Sequence, residues 1–216
     1  MLYPELRKGI VEAFRFLEER NLNYGYSGNI SVRVPQGDLY LITPSGVKKA
    51  RLSPEDVLVV DRSLNVVEGR GNPSVEARMH LAIYDAREDV RAIVHAHPLY
   101  SSVLAAIRRS LPPLLEETVL YLGGTVEVAD YAPSGTEELA RNVVRALGGK
   151  SAVLLANHGA LTCGSSLEEA LDAMVYLERA ALVYVLASLL GAPHELPSEV
   201  VELERELYEA RRWSPR

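Results

Sequence analysis

Residues 90–100, with the sequence VRAIVHAHPLY, constrain the chain most because they hold two histidines at one short spacing. Successive side chains of a β-strand alternate between faces, so His95 and His97 point the same way. Pro98 cannot donate to a sheet and ends the strand, which leaves both imidazoles beside a loop at the strand terminus. This pattern indicates a metal site. Two packing histidines on a strand would give the same pattern, so other parts of the chain have to distinguish these readings.

A third histidine follows another predicted strand. Residues 151–156 form a nearly unbroken apolar run, typical of a strand buried on both faces, and the run leads directly to His158. Three histidines with one open position are a recurrent arrangement of catalytic zinc. Glu76, placed in the first turn of a predicted helix, adds a fourth ligand or a base, and the helix dipole favours its ionised form. His80, one turn later, is an alternative ligand, and a core or loop position is the alternative for His158.

Three loops combine glycine with short polar side chains: one contains Gly28 and Asn29, the next Ser45 and Gly46, and the third Ser74. Backbone N–H groups, short hydroxyls and a helix N-terminus suit a phosphate monoester where no arginine clamp is evident. Each loop alone is an ordinary turn sequence. Only their combination with a metal site predicts a phosphate pocket.

Apolar spacing and turn residues predict an alternation of helices and strands in one α/β domain covering residues 1–216. The predicted helices cover residues 4–20, 75–87, 100–109, 134–148 and 165–191, with a last one from 197. The predicted strands cover residues 30–34, 39–43, 57–61, 65–68, 90–97, 126–129, 151–156 and 160–163. The first two strands form a hairpin around the turn at residues 36–38, and residues 118–122 are an apolar segment of unassigned type.

Composition excludes several classes of function. A formal net charge of −6 provides no field for nucleic-acid phosphates, although a local basic pocket for a small anion is compatible with it. Cys163 is the single cysteine and cannot form an internal disulfide, and no charged and then apolar leader begins the chain. The most apolar window, residues 180–190, is shorter than the roughly 20 residues that span a bilayer. We therefore expect a cytoplasmic protein with neither nucleic-acid nor membrane partners.

Other catalytic fingerprints are absent from the sequence. No G-x-G-x-x-G opens a helix, and neither a P-loop, a G-x-S-x-G elbow nor an H-E-x-x-H helix occurs. A barrel amidohydrolase carries H-x-H on its first strand in about 250 residues or more, whereas this pair lies in the middle of 216. An H-x-H-x-D-H zinc motif fails because Pro98, Leu99 and Tyr100 follow the pair, which puts leucine and tyrosine where the motif needs aspartate and histidine.

Five motifs in a fixed order give the chain its resemblance to a known family: SGNISVR at residues 27–33, ITPSG at 42–46, SVE at 74–76, HAH at 95–97 and NHG at 157–159. Together they resemble the class II aldolase/adducin family from roughly residue 5 to residue 190. The resemblance implies a single-domain α/β/α sandwich with a mostly antiparallel central sheet flanked by helices. It also implies a homotetramer with active sites near subunit interfaces. The implied activity is zinc-dependent, reversible cleavage of a ketose 1-phosphate of the fuculose type to dihydroxyacetone phosphate and an aldehyde such as lactaldehyde, through an enediolate.

The same resemblance assigns roles by motif position. One Zn²⁺ per subunit would be bound by three histidines, with Glu76 as resting fourth ligand and acid/base. The zinc-binding histidines would be His95, His97 and His158. The residues assigned to substrate binding are Gly28, Asn29, Ser45, Gly46, Ser74 and Val75, the last standing where the family often has a second serine.

A second acid/base group is needed to take the hydroxyl proton of the departing aldehyde. Family members that act on fuculose 1-phosphate offer a tyrosine to the neighbouring subunit near the position of Glu117. Tyr208 matches a C-terminal catalytic tyrosine of the family. Glu117 and Tyr208 are therefore the candidates for this role.

Three alternatives stay open within the resemblance. Ribulose-phosphate 4-epimerases share the fold and zinc site but usually have aspartate where this chain has Glu76. Methylthioribulose-1-phosphate dehydratases share the three histidines and use a glutamate near the position of Glu117. Adducin-like domains are non-catalytic binding modules that have lost the metal ligands, and this chain retains all three histidines.

Overall fold

The computed structural model describes residues 1–35 and 38–213, and its elements follow the predicted order. The strands are β1 Asn29–Arg33, β2 Leu39–Ile42, β3 Leu58–Asp61, β4 Val66–Glu68, β5 Ala92–Ala96, β6 Val128–Ala129, β7 Ala152–Leu155 and β8 Gly159–Gly164. The α-helices are α1 Pro4–Glu19, α2 Ala77–Ala86, α3 Leu99–Ala106, α4 Glu116–Leu122, α5 Glu137–Leu147, α6 Leu167–Leu190 and α7 Ser198–Trp213. A short 3₁₀ helix covers Lys49–Arg51. Residues 36 and 37 of the predicted hairpin turn lie outside the described residues.

The eight strands form one open sheet in the order β4-β3-β2-β1-β5-β8-β7-β6. Every neighbouring pair is antiparallel except β6 and β7, which are parallel. β1, β5 and β8 lie side by side in the middle of this order. The ends of these three strands position the candidate site.

Helices cover both faces of the sheet, and the side-chain alternation of the strands divides the core in two. On β5, Ala92, Val94 and Ala96 pack in a cluster with residues of α1, α3 and α6. Ile93 points to the opposite face and packs with residues of α2 and α5. This arrangement confirms the predicted α/β/α sandwich with its mostly antiparallel sheet. Because His95 has the same parity as Ile93, it lies on the α2 side.

Several predicted boundaries are shifted. The segment at residues 118–122 belongs to helix α4. The side chains that cap α5 and α6 are Thr136 and Ser166, one or two residues after the serines that begin the predicted capping boxes. Helix α2 begins at Ala77, two residues after the predicted start at residue 75, and the side chain of Ser74 does not cap it. Its hydroxyl instead accepts the Glu76 N–H at 3.3 Å, which places Glu76 just before the first helical turn rather than within it.

Helix α6, with 24 residues, is longer than the apolar window at residues 180–190 on which the expectation about membranes rested. Among the described residues it is the one helix that could cross a membrane by length and composition, a property that residues 180–190 alone do not have. Its buried side packs against the sheet and includes Met174, Leu177 and Tyr184. Its last turn is exposed, with Leu189 and Leu190 facing outward.

Candidate metal centre

His95 and His97 lie at the end of β5, on the same side, as the strand pattern predicts. β5 ends at Ala96, and α3 begins immediately after Pro98. The His95 ring is fully buried, and its Nδ1 lies 2.8 Å from the Ala160 carbonyl oxygen on β8. A carbonyl oxygen can only accept, so Nδ1 carries a proton, and in the neutral ring Nε2 keeps the lone pair. This is the tautomer that a metal requires at Nε2.

His158 comes from the tight turn between β7 and β8. Its N–H donates to the Leu155 carbonyl oxygen at 3.0 Å, while Asn157 adopts a left-handed conformation with φ of 57°. A Cβ on Gly159 would come within 2.7 Å of the Ala96 carbonyl oxygen and 2.8 Å of the His97 ring. Glycine is therefore required for the turn to approach β5 closely. The turn delivers His158 against the other two rings, with centroid separations of 4.8 Å to His95 and 5.0 Å to His97.

Glu76 lies at the N-terminus of α2 and is the fourth side chain of the cluster formed by the three histidines. Its Oε2 lies 3.3 Å from His95 Nε2, and its Oε1 lies 3.3 Å from His158 Nε2. The Asn29 amide donates to Oε2 at 2.7 Å. Asn29 reaches this carboxylate because it pairs directly with His95 across β1 and β5, so that both side chains stand on the same face. Oε1 has no hydrogen-bond partner among the described residues.

The spacing of these groups fits a metal ion. The ligand atoms of His95, His97 and His158 all lie within 4.8 Å of one another, and the Nε2 atoms of His95 and His97 are 3.2 Å apart. Tetrahedral zinc with bonds of 2.0–2.1 Å to nitrogen separates its ligand atoms by about 3.3 Å. The separations of 3.3 Å from the Glu76 oxygens to two of the histidines match that value. The four side chains can hold a divalent cation at their centre.

Electrostatics favour the metal-binding protonation states of Glu76 and His97. Burial acts to raise the pKa of Glu76, but His95, His158 and the Asn29 amide together hold it well below its usual range. For His95, burial acts to lower the pKa, and the Glu76 carboxylate reverses this and raises it. Burial, helped by His95 and His158, lowers the pKa of His97 to about 3. Glu76 is thus ionised and His97 neutral at neutral pH, the forms that bind metal.

His80, the alternative ligand, is not a member of the cluster. Its buried Nδ1 lies 2.7 Å from the Ser31 hydroxyl, which in turn lies 2.8 Å from the Tyr84 hydroxyl. Burial lowers the pKa of His80 to about 3. Within residues 1–35 and 38–213, the triad of His95, His97 and His158 is the one group of three or more potential ligands with this proximity.

A cavity of about 150 Å³ opens beside the triad. All six residues assigned to substrate binding line it together with Glu76, His97 and His158: Gly28, Asn29, Ser45, Gly46, Ser74 and Val75. Gly28 has a φ of 73°, and a Cβ there would lie 2.7 Å from the His95 carbonyl oxygen. The fold therefore brings the three predicted loops to one place, next to the metal ligands.

The two candidates for the second acid/base role lie elsewhere in the chain. Glu117, on α4, pairs with Arg179 of α6 at 3.6 Å. The Tyr208 hydroxyl, on α7, lies 2.8 Å from the Ser151 hydroxyl and donates to the Gly149 carbonyl oxygen at 3.2 Å. Neither is among the described residues that line the 150 Å³ cavity. Their catalytic roles remain predictions, and a single chain does not bring them to the triad.

The cavity also contains residues that sequence reasoning missed. Tyr26, Lys49 and Ser134 line it. Tyr26 lies in the turn-rich loop before β1, and Lys49 follows the TPSG motif by three residues. The closeness of Tyr26 and Lys49 to the motifs in the sequence could have indicated a place in the site. Only the folded structure shows that Lys49 is buried there.

An open α/β/α sandwich with three histidines at its strand ends and a carboxylate at a helix N-terminus defines a class of candidate metalloenzyme. The chain belongs to the family described as "Class II Aldolase and Adducin N-terminal domain", which matches residues 8–185. It is therefore a class II aldolase, a carbon–carbon lyase of sugar-phosphate metabolism, and this confirms the resemblance seen in the sequence.

Named relatives agree with this assignment. The chain is 38% identical over 202 residues to the 5-methylthioribulose-1-phosphate/5-deoxyribulose-1-phosphate aldolase of Rhodospirillum rubrum, covering 94% of this chain and 89% of the relative. It is 32% identical to the L-fuculose phosphate aldolase of Escherichia coli, covering 88% and 86% of the two chains. A solved L-fuculose 1-phosphate aldolase superposes with a TM-score of 0.92 at 39% identity over 97% of this chain and 98% of that one.

Proposed function

We propose that this chain is a zinc-dependent aldolase that reversibly cleaves a ketose 1-phosphate to dihydroxyacetone phosphate and a short aldehyde. The observation that carries the proposal is the convergence of Glu76 and three histidines beside a cavity lined by glycine, serine and asparagine. The similar proteins from Rhodospirillum rubrum and Escherichia coli are named for phosphorylated ketoses. The feature common to those substrates is the phosphorylated end of the sugar.

The three histidines would hold Zn²⁺ through ring nitrogens, and neutral imidazole is a ligand that zinc accepts. When bound, the cation supplies Lewis-acid stabilisation of the negative charge that develops on the substrate oxygens during cleavage. His95 is held in place by the Ala160 carbonyl oxygen, so the orientation of its ring does not depend on the ligand.

Glu76 is the proposed acid/base for the carbon next to the substrate carbonyl. The Asn29 amide holds Oε2, whereas Oε1 has no hydrogen-bond donor of its own among the described residues. A carboxylate anchored through one oxygen can move a proton through the other. The cluster of imidazoles keeps the group ionised until substrate arrives.

The phosphate would occupy the part of the cavity lined by Gly28, Ser45, Gly46 and Ser74. Glycine lets backbone N–H groups approach an anion, and serine hydroxyls donate to it. Val75 stands where the family often has a second serine, and its side chain has no hydroxyl to donate such a hydrogen bond. We assign the phosphate to this region because its neutral donors line the same cavity as Glu76, His97 and His158.

Two aldehyde classes remain as candidates, and the cavity rim favours one of them. Tyr26 and Val75 line the cavity, and the Tyr24 ring lies 6.4 Å from that of His97. These apolar and aromatic surfaces suit an aldehyde that carries a methyl or methylthio group and no hydroxyl, the kind that a 5-deoxy or 5-methylthio ketose would release, whereas lactaldehyde carries a hydroxyl. The second candidate is lactaldehyde from fuculose 1-phosphate, supported by the relatives named for that sugar.

We further propose a cytoplasmic homotetramer in which each chain is one domain and a neighbouring subunit helps to complete the site. Helix α3, which starts beside His97, and the residue that follows it expose an apolar stripe at i, i+4 and i+8, formed by Leu99, Val103 and Ile107. An exposed apolar stripe of this kind supports a subunit contact next to the active site. Such a contact would let Glu117 or Tyr208 of a partner subunit approach the triad.

The experiment that tests the proposal is a comparison of cleavage rates for three ketose phosphates: fuculose 1-phosphate, 5-deoxyribulose 1-phosphate and 5-methylthioribulose 1-phosphate. The zinc-loaded protein should release dihydroxyacetone phosphate from at least one of them, and a chelator should stop the release. Loss of water from the methylthio substrate would instead establish the dehydratase alternative. Inversion at carbon 4 of ribulose 5-phosphate would establish the epimerase alternative, and a purified protein that binds no divalent metal would exclude every enzymatic one.

A further inference from the structure

Lys49 is a buried cation at the proposed phosphate pocket. It begins the 3₁₀ helix Lys49–Arg51, three residues after Gly46, and only 3% of its surface is exposed. It lines the cavity together with Gly46 and Glu76. Lys48 precedes it and is exposed, as is normal for lysine. The two neighbouring lysines therefore provide a matched pair, one inside the site and one outside it.

The backbone and stem of Lys49 are fixed by the fold. Its N–H donates to the Gly25 carbonyl oxygen at 2.9 Å, which ties the 3₁₀ helix to the loop before β1. Its Nζ lies 5.6 Å from the ring centroid of Phe14, which is itself fully buried in α1. Nζ donates to the Pro44 carbonyl oxygen at 3.3 Å, inside the TPSG loop. These contacts place the ammonium under the loop that carries Ser45 and Gly46.

The charge of Lys49 is poorly compensated without a ligand. An ammonium has three protons to donate, and the Pro44 carbonyl is its one hydrogen-bond acceptor among the described residues. No carboxylate of those residues lies within the 4.0 Å of an ion pair, and the charges of Glu18 and Glu76 act from further away. Burial accordingly lowers the pKa of Lys49. A buried charge is costly unless it is paired, so this position suits an anion that arrives with the substrate.

We propose that the Lys49 ammonium binds the phosphate of the substrate and is the charged group that makes the enzyme select phosphorylated ketoses. This inference rests on the proposed function. The other groups of the pocket donate neutral hydrogen bonds, whereas the ionised Glu76 in the same cavity repels a phosphate dianion. A cation beneath the loop offsets that repulsion.

Three variants separate phosphate binding from a purely structural role. Lys49→Met keeps the length and packing of the stem without the charge, Lys49→Arg keeps the charge with a bulkier head, and Lys48→Met is the exposed control. The measurements are C–H exchange of dihydroxyacetone phosphate and of dihydroxyacetone, and the inhibition constant of inorganic phosphate. Zinc content and melting temperature accompany them.

Lys49→Met should lower kcat/KM for dihydroxyacetone phosphate by about 10- to 100-fold and raise the inhibition constant of phosphate by a similar factor. Exchange of dihydroxyacetone should change less than about threefold. This substrate has no phosphate and so makes no charge-assisted hydrogen bond to Lys49 that the variant could lose. Lys49→Arg should retain more of the phosphate preference than Lys49→Met. Lys48→Met should behave as the wild type.

If Lys49→Met retained more of the phosphate preference than Lys49→Arg, Lys49 would only pack against Phe14. This result would overturn the inference. An equal loss with both substrates would also overturn it. If Lys49→Met does not fold, Lys49→Gln takes its place and the same order against Lys49→Arg decides. A wild-type protein that does not prefer dihydroxyacetone phosphate to dihydroxyacetone would contradict the proposed function itself, and that result is read before any variant is made.

Discussion

Helix α2 borders two cavities that differ in size and in chemistry. The larger, about 870 Å³, lies along its outer face against α5 and is floored by apolar side chains such as Leu81 and Val144. The smaller, about 150 Å³, lies at the N-terminus of α2 and contains Glu76, His97 and His158. By volume alone, the first cavity would be the candidate active site. The proposed chemistry is in the second.

The charged groups of the two cavities differ in their burial and in their partners. Around the large one, Arg62 pairs with Asp85 at 2.7 Å and Arg78 pairs with Glu137 at 3.6 Å. Each arginine that lines this cavity forms an ion pair within the chain and is exposed to water, so these charges offer a ligand little. In the small cavity, Glu76 keeps an oxygen without a hydrogen bond despite its burial. Buried polar groups without partners are costly, so they indicate a site more reliably than cavity size does.

His97→Ala gives the largest expected effect and tests the small cavity directly. Removing one of three histidines should abolish tight zinc binding and lower kcat/KM by at least about 10³-fold, because the Lewis acid is lost. Metal analysis of the purified variant, together with its cleavage rate, checks this. A variant that keeps both zinc and activity would show that His97 is not a ligand.

Glu76→Gln should separate metal binding from proton transfer. The three histidines should retain most of the metal, while kcat falls by about 10²- to 10⁴-fold because an amide cannot act as a base. Metal content and single-turnover rates are the measurements. Normal turnover in this variant would refute the assigned base.

Asn29→Ala should have an intermediate effect. The amide of Asn29 donates to Glu76 Oε2 at 2.7 Å, and its removal leaves the carboxylate less firmly oriented. We expect kcat to fall by about 10-fold, as a lost hydrogen bond to a charged group costs about 1.5–3 kcal/mol at most. Steady-state kinetics at saturating substrate would reveal it, and an unchanged kcat would mean that the histidines alone orient Glu76.

The burial of His80 predicts that the free energy of unfolding depends on pH. Its pKa is lowered by burial from 6.5 to about 3, so between these values the unfolded chain binds a proton that the folded chain does not. The free energy of unfolding therefore decreases as the pH falls below about 6.5, by up to about 1.4 kcal/mol per pH unit from this group. Denaturant unfolding of metal-free wild type and His80→Gln from pH 7 to 5 should show a shallower dependence in the variant. Equal slopes would contradict the assigned burial.

Asp85→Asn gives the smallest expected effect and tests the large cavity. The exposed pair of Asp85 with Arg62 contributes about 0–1 kcal/mol, and neither residue approaches the metal ligands. Activity should stay within about twofold of the wild type. A loss of activity comparable to that of Asn29→Ala would show that the large cavity takes part in function and would remove the contrast drawn between the two.

The order of helices and strands and the convergence of the three histidines could be predicted because both depend on short-range patterns, whereas the sandwich with its mostly antiparallel sheet followed from the family resemblance. Alternation along β5 placed His95 and His97 on one side, and the apolar run of β7 led to His158. Helix starts were less certain, since the Ser74 hydroxyl accepts the Glu76 N–H before the helix rather than within it. The boundaries of capping boxes shifted for the same reason, because several nearby side chains can compete for one cap.

Long-range features could not be predicted from spacing. Lys49 looks like any surface lysine until the packing of its loop against α1 buries it. Asn29 reaches Glu76 because of the register between β1 and β5, which no single-strand pattern contains. Glu117 and Tyr208 lie away from the cavity beside the triad in this chain, so their proposed roles stay predictions.

The central claim is that the small cavity enolises dihydroxyacetone phosphate with a metal ion and Glu76. The most direct measurement is NMR of dihydroxyacetone phosphate in D₂O with the zinc-loaded protein, which needs no knowledge of the aldehyde. We predict stereospecific loss of one proton from the hydroxyl-bearing carbon, stopped by a chelator and absent in Glu76→Gln. No exchange, or exchange that persists after chelation, would contradict the claim.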